Sequence, residues 1–382
     1  MVSAAQRKSK TDGWCRLLLG EVLTLQRGFD LPHRMRRTGQ YRIVTSSGRE
    51  GYHNVAMASG PGVVTGRYGT IGQVFYVEED FWPLNTTLYV RDFKGNSARF
   101  CAYLLETIDF KSHSGKSGVP GVNRNDLHEI PVYVPTALNE QEAIAQALSD
   151  ADALIGSLET LITKKRAIKQ GVTQDLLSGR KRLPGFSEKW IESTLGDVCL
   201  EIVDGTHFTP KYVHTGFPFY SVENVTADDF TNTKFISADE HKILTRRCNP
   251  QKGDILLTRI GAIGDTKLID WDVDASIYVS LALLKSGTRV NPRYLHAYTK
   301  SRKFRKDIED RSLLNASPRK INMGDISKVP VPVPSQQEQE AIADILESMD
   351  HELVLLAEKL AKARQLKQGM MRELLTGRVR LV

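Results

Sequence analysis

Four arginines fall within one short stretch, Arg27-Gly28-Phe29-Asp30-Leu31-Pro32-His33-Arg34-Met35-Arg36-Arg37, against a single acid. A guanidinium presents a planar fork of donors, which suits phosphate oxygens and the paired acceptors on a guanine edge. Arg27, Arg34, Arg36 and Arg37 are therefore candidate contacts to a polyanion. A second stretch, Asp204-Gly205-Thr206-His207-Phe208-Thr209-Pro210-Lys211-Tyr212, is polar rather than strongly basic. Thr206, His207 and Thr209 can hydrogen-bond base edges, and Lys211 adds a point charge. Matching loops with different chemistry are what two readers of different sequences would need.

Further candidates lie outside these loops. Arg67 and Arg259 head a shared Arg-x-Gly-x-Ile-Gly turn. His113 and Lys116 sit in a glycine-rich loop, and Arg124, Arg319 and Lys320 precede Pro-Val strands. The alternative for each arginine is a solvated charge or a structural ion pair. Arg302, Lys303, Arg305 and Lys306 read as the wet face of a helix. Catalytic patterns do not occur. No Pro-Pro pair exists for an amino-methyltransferase loop, and Phe110 stands where a phosphate-cradling loop ending at Gly115-Lys116-Ser117 needs its first glycine. Gly66-x-x-Gly69-x-x-Gly72 lacks the dinucleotide spacing. The nine histidines form no metal motif, and the four cysteines are too scattered for a zinc or redox pair.

The elements that must position these loops are duplicated. Glu-Gln-Glu-Ala-Ile-Ala opens at Glu140 and again at Glu338. The two segments then align without a gap through Lys169-Gln170-Gly171 and Lys367-Gln368-Gly369. They end alike at Leu176-Leu177-x-Gly179-Arg180-x-Arg182-Leu183 and Leu374-Leu375-x-Gly377-Arg378-x-Arg380-Leu381. Upstream, Trp14 with Leu19-Gly20-Glu21-Val22 matches Trp190 with Leu195-Gly196-Asp197-Val198. Val122-Asn123-x-x-Asp126 likewise matches Ile321-Asn322-x-x-Asp325. Within the repeated segments, Ile144, Leu148, Ala151, Ile155, Leu158 and Ile162 fall at alternating steps of four and three. Ile342, Leu346, Met349, Leu353, Leu356 and Leu360 do likewise. That spacing predicts two long helices with an apolar seam, on which Lys169 and Lys367 also fall. Two such seams most simply pack on each other. An antiparallel pairing would give a pseudo-twofold object.

The rest reads as mixed α/β. Strands are expected at Val74–Val77, Thr87–Val90 and Asp254–Thr258, and helices at Ala98–Asp109 and Pro292–Asp310. The expected organisation is a loose tail over 1–13, globular domains over 14–135 and 184–334, and spacer helices over 136–183 and 335–382. The expected fold class is α+β, with two globular domains separated by two long coiled-coil helices. An antiparallel pairing is expected, but the sequence does not prove the direction, and the alternative is two separate surface helices that each cap their own domain. With 41% hydrophobic and 25% charged residues the chain can bury real cores, and its net charge of +7 favours a polyanionic partner. No apolar run suggests a signal peptide or a membrane span, so a cytoplasmic location is expected.

These features resemble the specificity subunit of type I restriction–modification systems. The resemblance rests on the Trp…Leu-Gly-[Asp/Glu]-Val openings, the Glu-Gln-x-Ala-Ile-Ala helix starts and the Leu-Leu-[Ser/Thr]-Gly-Arg exits, each present twice. The runs Arg-Gly-Phe-Asp-Leu-Pro and Asp-Gly-Thr-His-x-Thr-Pro-x-Tyr resemble that family's recognition loops. The resemblance implies a DNA-binding subunit without catalysis, whose two domains read the halves of a split, asymmetric double-stranded target. It implies helices that set the spacer and dock two modification (methyltransferase) subunits, with two restriction (motor-nuclease) subunits joining. S-adenosylmethionine, ATP and Mg²⁺ would belong to those partners, with no cofactor on this chain. Rival readings are a specificity subunit serving a fused methylase–nuclease, a coiled-coil scaffold binding protein, and an enzyme with an unrecognised site.

Overall fold

The computed structural model describes residues 13–114, 121–313 and 315–381. The expected tail, apart from Gly13, and Lys116 lie outside the described residues. The chain divides into two compact units, one holding the residues up to Thr160 together with those from Ala357 onward, the other Leu161–Leu356.

In the first unit, Trp14–Leu18 (β1) pairs antiparallel with Pro131–Pro135 (β9), next to a short helix at Leu19–Val22 (α1). A four-stranded antiparallel sheet follows the order Thr24–Arg27 (β2), Thr87–Asp92 (β8), Gly62–Gly66 (β5) and Val74–Val77 (β6). A three-stranded sheet joins Gly48–His53 (β4), Tyr41–Thr45 (β3) and Phe81–Pro83 (β7), with β3 and β7 parallel. Ala98–Glu106 (α2) covers β5 and β6, and Arg124–His128 (α3) precedes β9.

The second unit repeats this plan. Ile191–Thr194 (β10) pairs antiparallel with Pro330–Val333 (β19), followed by Leu195–Val198 (α5). The four-stranded antiparallel sheet is Cys199–Asp204 (β11), Leu281–Ser286 (β18), Ile255–Thr258 (β15) and Thr266–Leu268 (β16). The second sheet runs Tyr212–Val213 (β12), Lys234–Ile236 (β14), Phe217–Tyr220 (β13) and Ser276–Ile277 (β17), with β13 and β17 parallel. Helices Val222–Ala227 (α6), Ala238–Leu244 (α7), Pro292–Thr299 (α8), Arg302–Asp310 (α9) and Met323–Ser327 (α10) complete it. The expected strands thus appear as β6, within β8, and as β15 without Asp254. The helix expected over Pro292–Asp310 is two helices. The Ser301 hydroxyl accepts from the Phe304 amide at 3.2 Å and starts α9 afresh.

The long helices are Leu138–Leu177 (α4) and Gln336–Leu374 (α11). Of the seam residues, Ile144, Leu148, Ile162, Ile342, Leu346 and Leu356 are buried, while Ile155, Leu158, Leu353 and Leu360 are half-buried. Within the first unit, Glu159 pairs with Arg364 at 2.6 Å, Asp152 with Lys367 at 2.8 Å and Glu140 with Arg380 at 2.8 Å. Within the second, Lys165 pairs with Glu352 at 2.7 Å, Lys169 with Asp350, and Arg182 with Glu338 at 2.6 Å. Residue numbers rise along one helix as they fall along the other, so the helices run antiparallel inside each unit. Both seam lysines are neutralised, by Asp350 and by Asp152 with Glu106.

The repeated motifs meet in one knot per unit. Glu140, 1% exposed, accepts from the Trp14 indole at 3.2 Å as well as from Arg380. Glu338, also 1% exposed, accepts from the Trp190 indole at 2.9 Å and is gripped by both ends of the Arg182 fork at 2.6 Å. The stop glycines Gly377 and Gly179, at φ +68° and +69°, bring the chain against Trp14 and Trp190. The Arg380 and Trp14 hydrogen bonds hold the Glu140 carboxyl below its ordinary value, against the opposing effect of burial.

Glu140→Gln keeps the shape but removes the charge that Arg380 answers. We expect a loss of about 2–3 kcal/mol at pH 7, read from chemical denaturation. Because the folded value is depressed, the Glu140 contribution is complete above the unperturbed value of about 4.3 and disappears as pH falls through the folded value. The gap between wild type and variant should therefore close on acidification. A gap that stays constant would assign the stability to packing alone.

Candidate nucleic-acid interface

The first loop leaves β2 at Arg27 and runs over a single 3₁₀ turn at His33–Met35. Arg34 and Arg37 are exposed. The Arg37 amide donates to His53 Nδ1 at 3.1 Å, which fixes the loop backbone. Arg36 is half-buried, with its Nη1 on Glu50 at 2.9 Å. Arg27 reaches Asp30 at 3.1 Å, and both side chains are more than half exposed.

Arg27, Arg67 and Arg124 converge on one pocket of about 250 Å³, together with Tyr68 and Asn123. The Arg67 guanidinium stacks 4.6 Å from the Tyr68 ring centre. Gly69 and Gly72 of this turn, like Gly261 and Gly264 of its counterpart, have φ between +75° and +91°. Such backbone is strained for any other residue, which explains why the glycines recur at that spacing. His113 is exposed and is not among the described residues that line this pocket.

The second loop is built around a buried acid. Asp204, 4% exposed, accepts from Arg259 Nη1 at 3.0 Å, from Arg247 and from His207 Nε2 at 3.0 Å. The bond to a carboxylate puts the proton of the neutral His207 ring on Nε2 and leaves Nδ1 as an acceptor. Thr206 is buried at the base of the loop, while His207, Thr209 and Lys211 are exposed. Thr209 Oγ1 lies 3.4 Å from the Tyr278 hydroxyl.

Arg259 corrects the sequence reading. It is 7% exposed and donates inward to Ile321 O at 3.2 Å and Val279 O at 3.1 Å as well as to Asp204. Burial pulls its guanidinium below the ordinary value, and Asp204 opposes that shift. It is a structural ion pair that holds the loop, not a surface contact. Arg319 is half-buried against Ser312 at 3.0 Å and Glu309 at 3.5 Å, whereas Lys320 is exposed. Arg247, which sequence reasoning missed, anchors Asp204 from 43 residues away. No local pattern marks such a distance. Arg302, Lys303, Arg305 and Lys306 do form the exposed face of α9, with Phe304 and Ile308 buried beneath.

A larger cavity of about 620 Å³ in the second unit has Arg166, Lys169, Lys300, Arg302 and Lys303 on its wall and no residue of the 204–212 loop. Among the described residues no group of His, Cys, Asp and Glu could hold a metal ion. No helix among them is long and apolar enough to cross a membrane.

The family profile of the type I restriction modification DNA specificity domain matches the chain twice, over residues 12–170 and 187–365. The chain belongs to this family. It is 25% identical over 300 residues to the type I restriction enzyme MjaVIII specificity subunit of Methanocaldococcus jannaschii, covering 74% of this chain and 70% of that one. It is also 25% identical over 242 residues to a putative type I specificity subunit of Mycoplasma pneumoniae, covering 58% of this chain and 63% of that protein. The fold is shared with a crystal structure of the type I restriction-modification S subunit from M. genitalium. That likeness has a TM-score of 0.66 at 18% identity and covers 96% of this chain and 97% of the other. The HsdS subunit from Thermoanaerobacter tengcongensis aligns with a TM-score of 0.51 at 18% identity, over 97% and 98% of the two chains.

Asp204→Asn leaves Arg259 buried without its counter-charge. The expected cost is about 3 kcal/mol, seen as a lower denaturant midpoint at unchanged slope. An unchanged midpoint would mean that the loop does not depend on this acid.

Proposed function

We propose that this chain is the sequence-reading subunit of a type I restriction–modification complex, binding double-stranded DNA through two unlike loops. The observation that carries the reading is the pairing of a repeated frame with non-repeated chemistry. Both units present a loop from the same edge of the same sheet. One loop is rich in arginine and the other is a Thr and His loop tied to a buried acid. On this reading each unit recognises one half of a split, asymmetric target. Phosphate contacts would supply salt-dependent affinity and base-edge contacts would supply preference, at about 1–3 kcal/mol for each good pair.

The long helices set the unread spacer and dock two modification subunits, and two restriction subunits join them. S-adenosylmethionine, ATP and Mg²⁺ are handled by those partners, and the chain itself contributes differential binding rather than catalysis. Its place is the cytoplasm, where the duplex and these partners meet. Two linked readers gain avidity through effective concentration only when the spacing lets both engage.

Selection from a random duplex library with the full chain tests this directly. The expected product is a two-part motif with a fixed unread interval. Inserting one heptad into both α4 and α11, about 10 Å of added rise, should lengthen that interval by about three base pairs. A selection that yields no preference would remove the DNA reading in favour of a protein-binding scaffold.

A further inference from the structure

Both units build the same corner beside the recognition loop, with one reversal of charge. Gly28 and Gly205 are each pinched against facing backbone. A Cβ would stand 2.2 Å from Leu84 O at the first and 2.0 Å from Ile277 O at the second. The residues after them bridge to the facing segments, Phe29 to Leu84 and Thr206 to Tyr278, both in parallel sense. The Arg67 amide donates to Thr86 O at 2.9 Å, as the Arg259 amide does to Ser280 O at 2.9 Å. Their carbonyls accept from Val122 and Ile321 at 3.1 and 3.0 Å. Arg67 is therefore the counterpart of Arg259, and Arg27, just before the pinched glycine, is the counterpart of Asp204.

In the second unit the chain supplies its own anion: the Asp204 carboxylate holds the Arg259 guanidinium. In the first unit that position carries Arg27, a second cation. Arg27, Arg67 and Arg124 share the pocket, and no carboxylate is among its described lining residues. The exposed Arg27–Asp30 pair neutralises little, because solvent screens it. Arg67 is packed only on the Tyr68 ring among the described contacts. Like charges gathered on one concave surface repel one another, and an anion arriving from outside relieves that repulsion.

We propose that this pocket seats one backbone phosphodiester of the bound duplex, which takes in the first unit the place that the Asp204 carboxylate takes in the second. The proposal rests on the reading of the chain as DNA-binding. A phosphodiester offers one negative charge and two free oxygens, which suit a forked bond from one arginine and single bonds from its neighbours. About 250 Å³ leaves room for the flanking sugar. Such a contact fixes the register of the first unit on the duplex without reading a base. In the second unit the equivalent arginine is occupied internally and cannot do the same.

The test uses the full chain, its selected duplex and an unrelated duplex of equal length. Arg67→Gln should weaken both about tenfold, the loss of one charge-assisted bond. It should make the slope of log affinity against log salt shallower by about one, with the base preference unchanged. Neutral methylphosphonate linkages placed singly through the first half-site should reveal one position that weakens the wild type and has no further effect on R67Q. Arg27→Asp should rebuild the internal pair with Arg67. It should weaken binding more than R67Q does, because it removes the bond from Arg27 and occupies Arg67 as well, while melting at or above the wild-type temperature, so the loss is not one of folding.

A change of preference at one base pair in R67Q would overturn the seat in favour of base reading. Equal methylphosphonate sensitivity in R67Q and wild type would also overturn it. So would inorganic phosphate that raises the melting temperature of the wild type but not of R67Q with no linkage-specific effect, because the occupant would then be a free anion. A wild type that binds every duplex alike defeats the underlying reading instead.

Discussion

A single buried carboxylate at the head of each long helix governs how the molecule is assembled. Glu140 and Glu338 lie almost out of water, and each is satisfied by an indole at the start of the opening strand or just before it and by an arginine from the exit of the other helix. A buried acid tolerates few arrangements, because the charge must be answered by named donors in one geometry. Apolar seams can slide by a heptad at modest cost, whereas this arrangement cannot. The neighbouring glutamines reinforce it. Gln141 binds the Ser97 amide at 2.9 Å and Pro135 O at 3.0 Å, and Gln339 binds the Asn291 amide at 2.7 Å and Pro334 O at 2.9 Å. Those contacts fix where α2 and α8 begin. Arg99 and Arg293 then grip equivalent turns of the long helices, at Ser149 and Glu347. The repeated Trp, Glu, Gly and Arg of the sequence are thus the letters of the knot.

The loops differ while the backbone frame that carries them is the same. The pinched glycine, the parallel bridge and the positive-φ turn recur in both units, yet the residue before the glycine is a cation in one and an acid in the other. The backbone supplies a constant corner that carries different side chains in the two units, and in the second the acid has become part of the packing through its pair with Arg259. A sensor whose specificity must vary while its scaffold stays the same is well served by that separation.

Much of this was legible in the sequence. Alternating steps of four and three from Ile144 and Ile342 marked the helices, and β-branched runs marked β6, β8 and β15. What escaped was decided by distance. Arg67 and Arg259 head the same short motif, but one lines a pocket and the other is buried. Their fates differ because Asp204 stands 55 residues before Arg259, a separation that no pattern around either residue reveals. Arg247 escaped for the same reason. The break between α8 and α9 was hidden because Ser301 is unremarkable until its hydroxyl meets the Phe304 amide.

The two knots are chemically alike but differ in connectivity. In the second unit only a short stretch of chain, residues 184–189, lies between Leu183, next to Arg182, and Trp190, so the two groups that grip Glu338 are tethered to each other. In the first unit Trp14 and Arg380 are separated by almost the whole length of the chain. Loop-closure entropy favours the tethered arrangement of the second unit. When thermal motion opens one clasp, the tethered one has its parts at hand to close again, and the other must find them anew. Fraying should therefore begin where Trp14, Glu140 and Arg380 meet, giving a chemically symmetric molecule a weak side and a strong side.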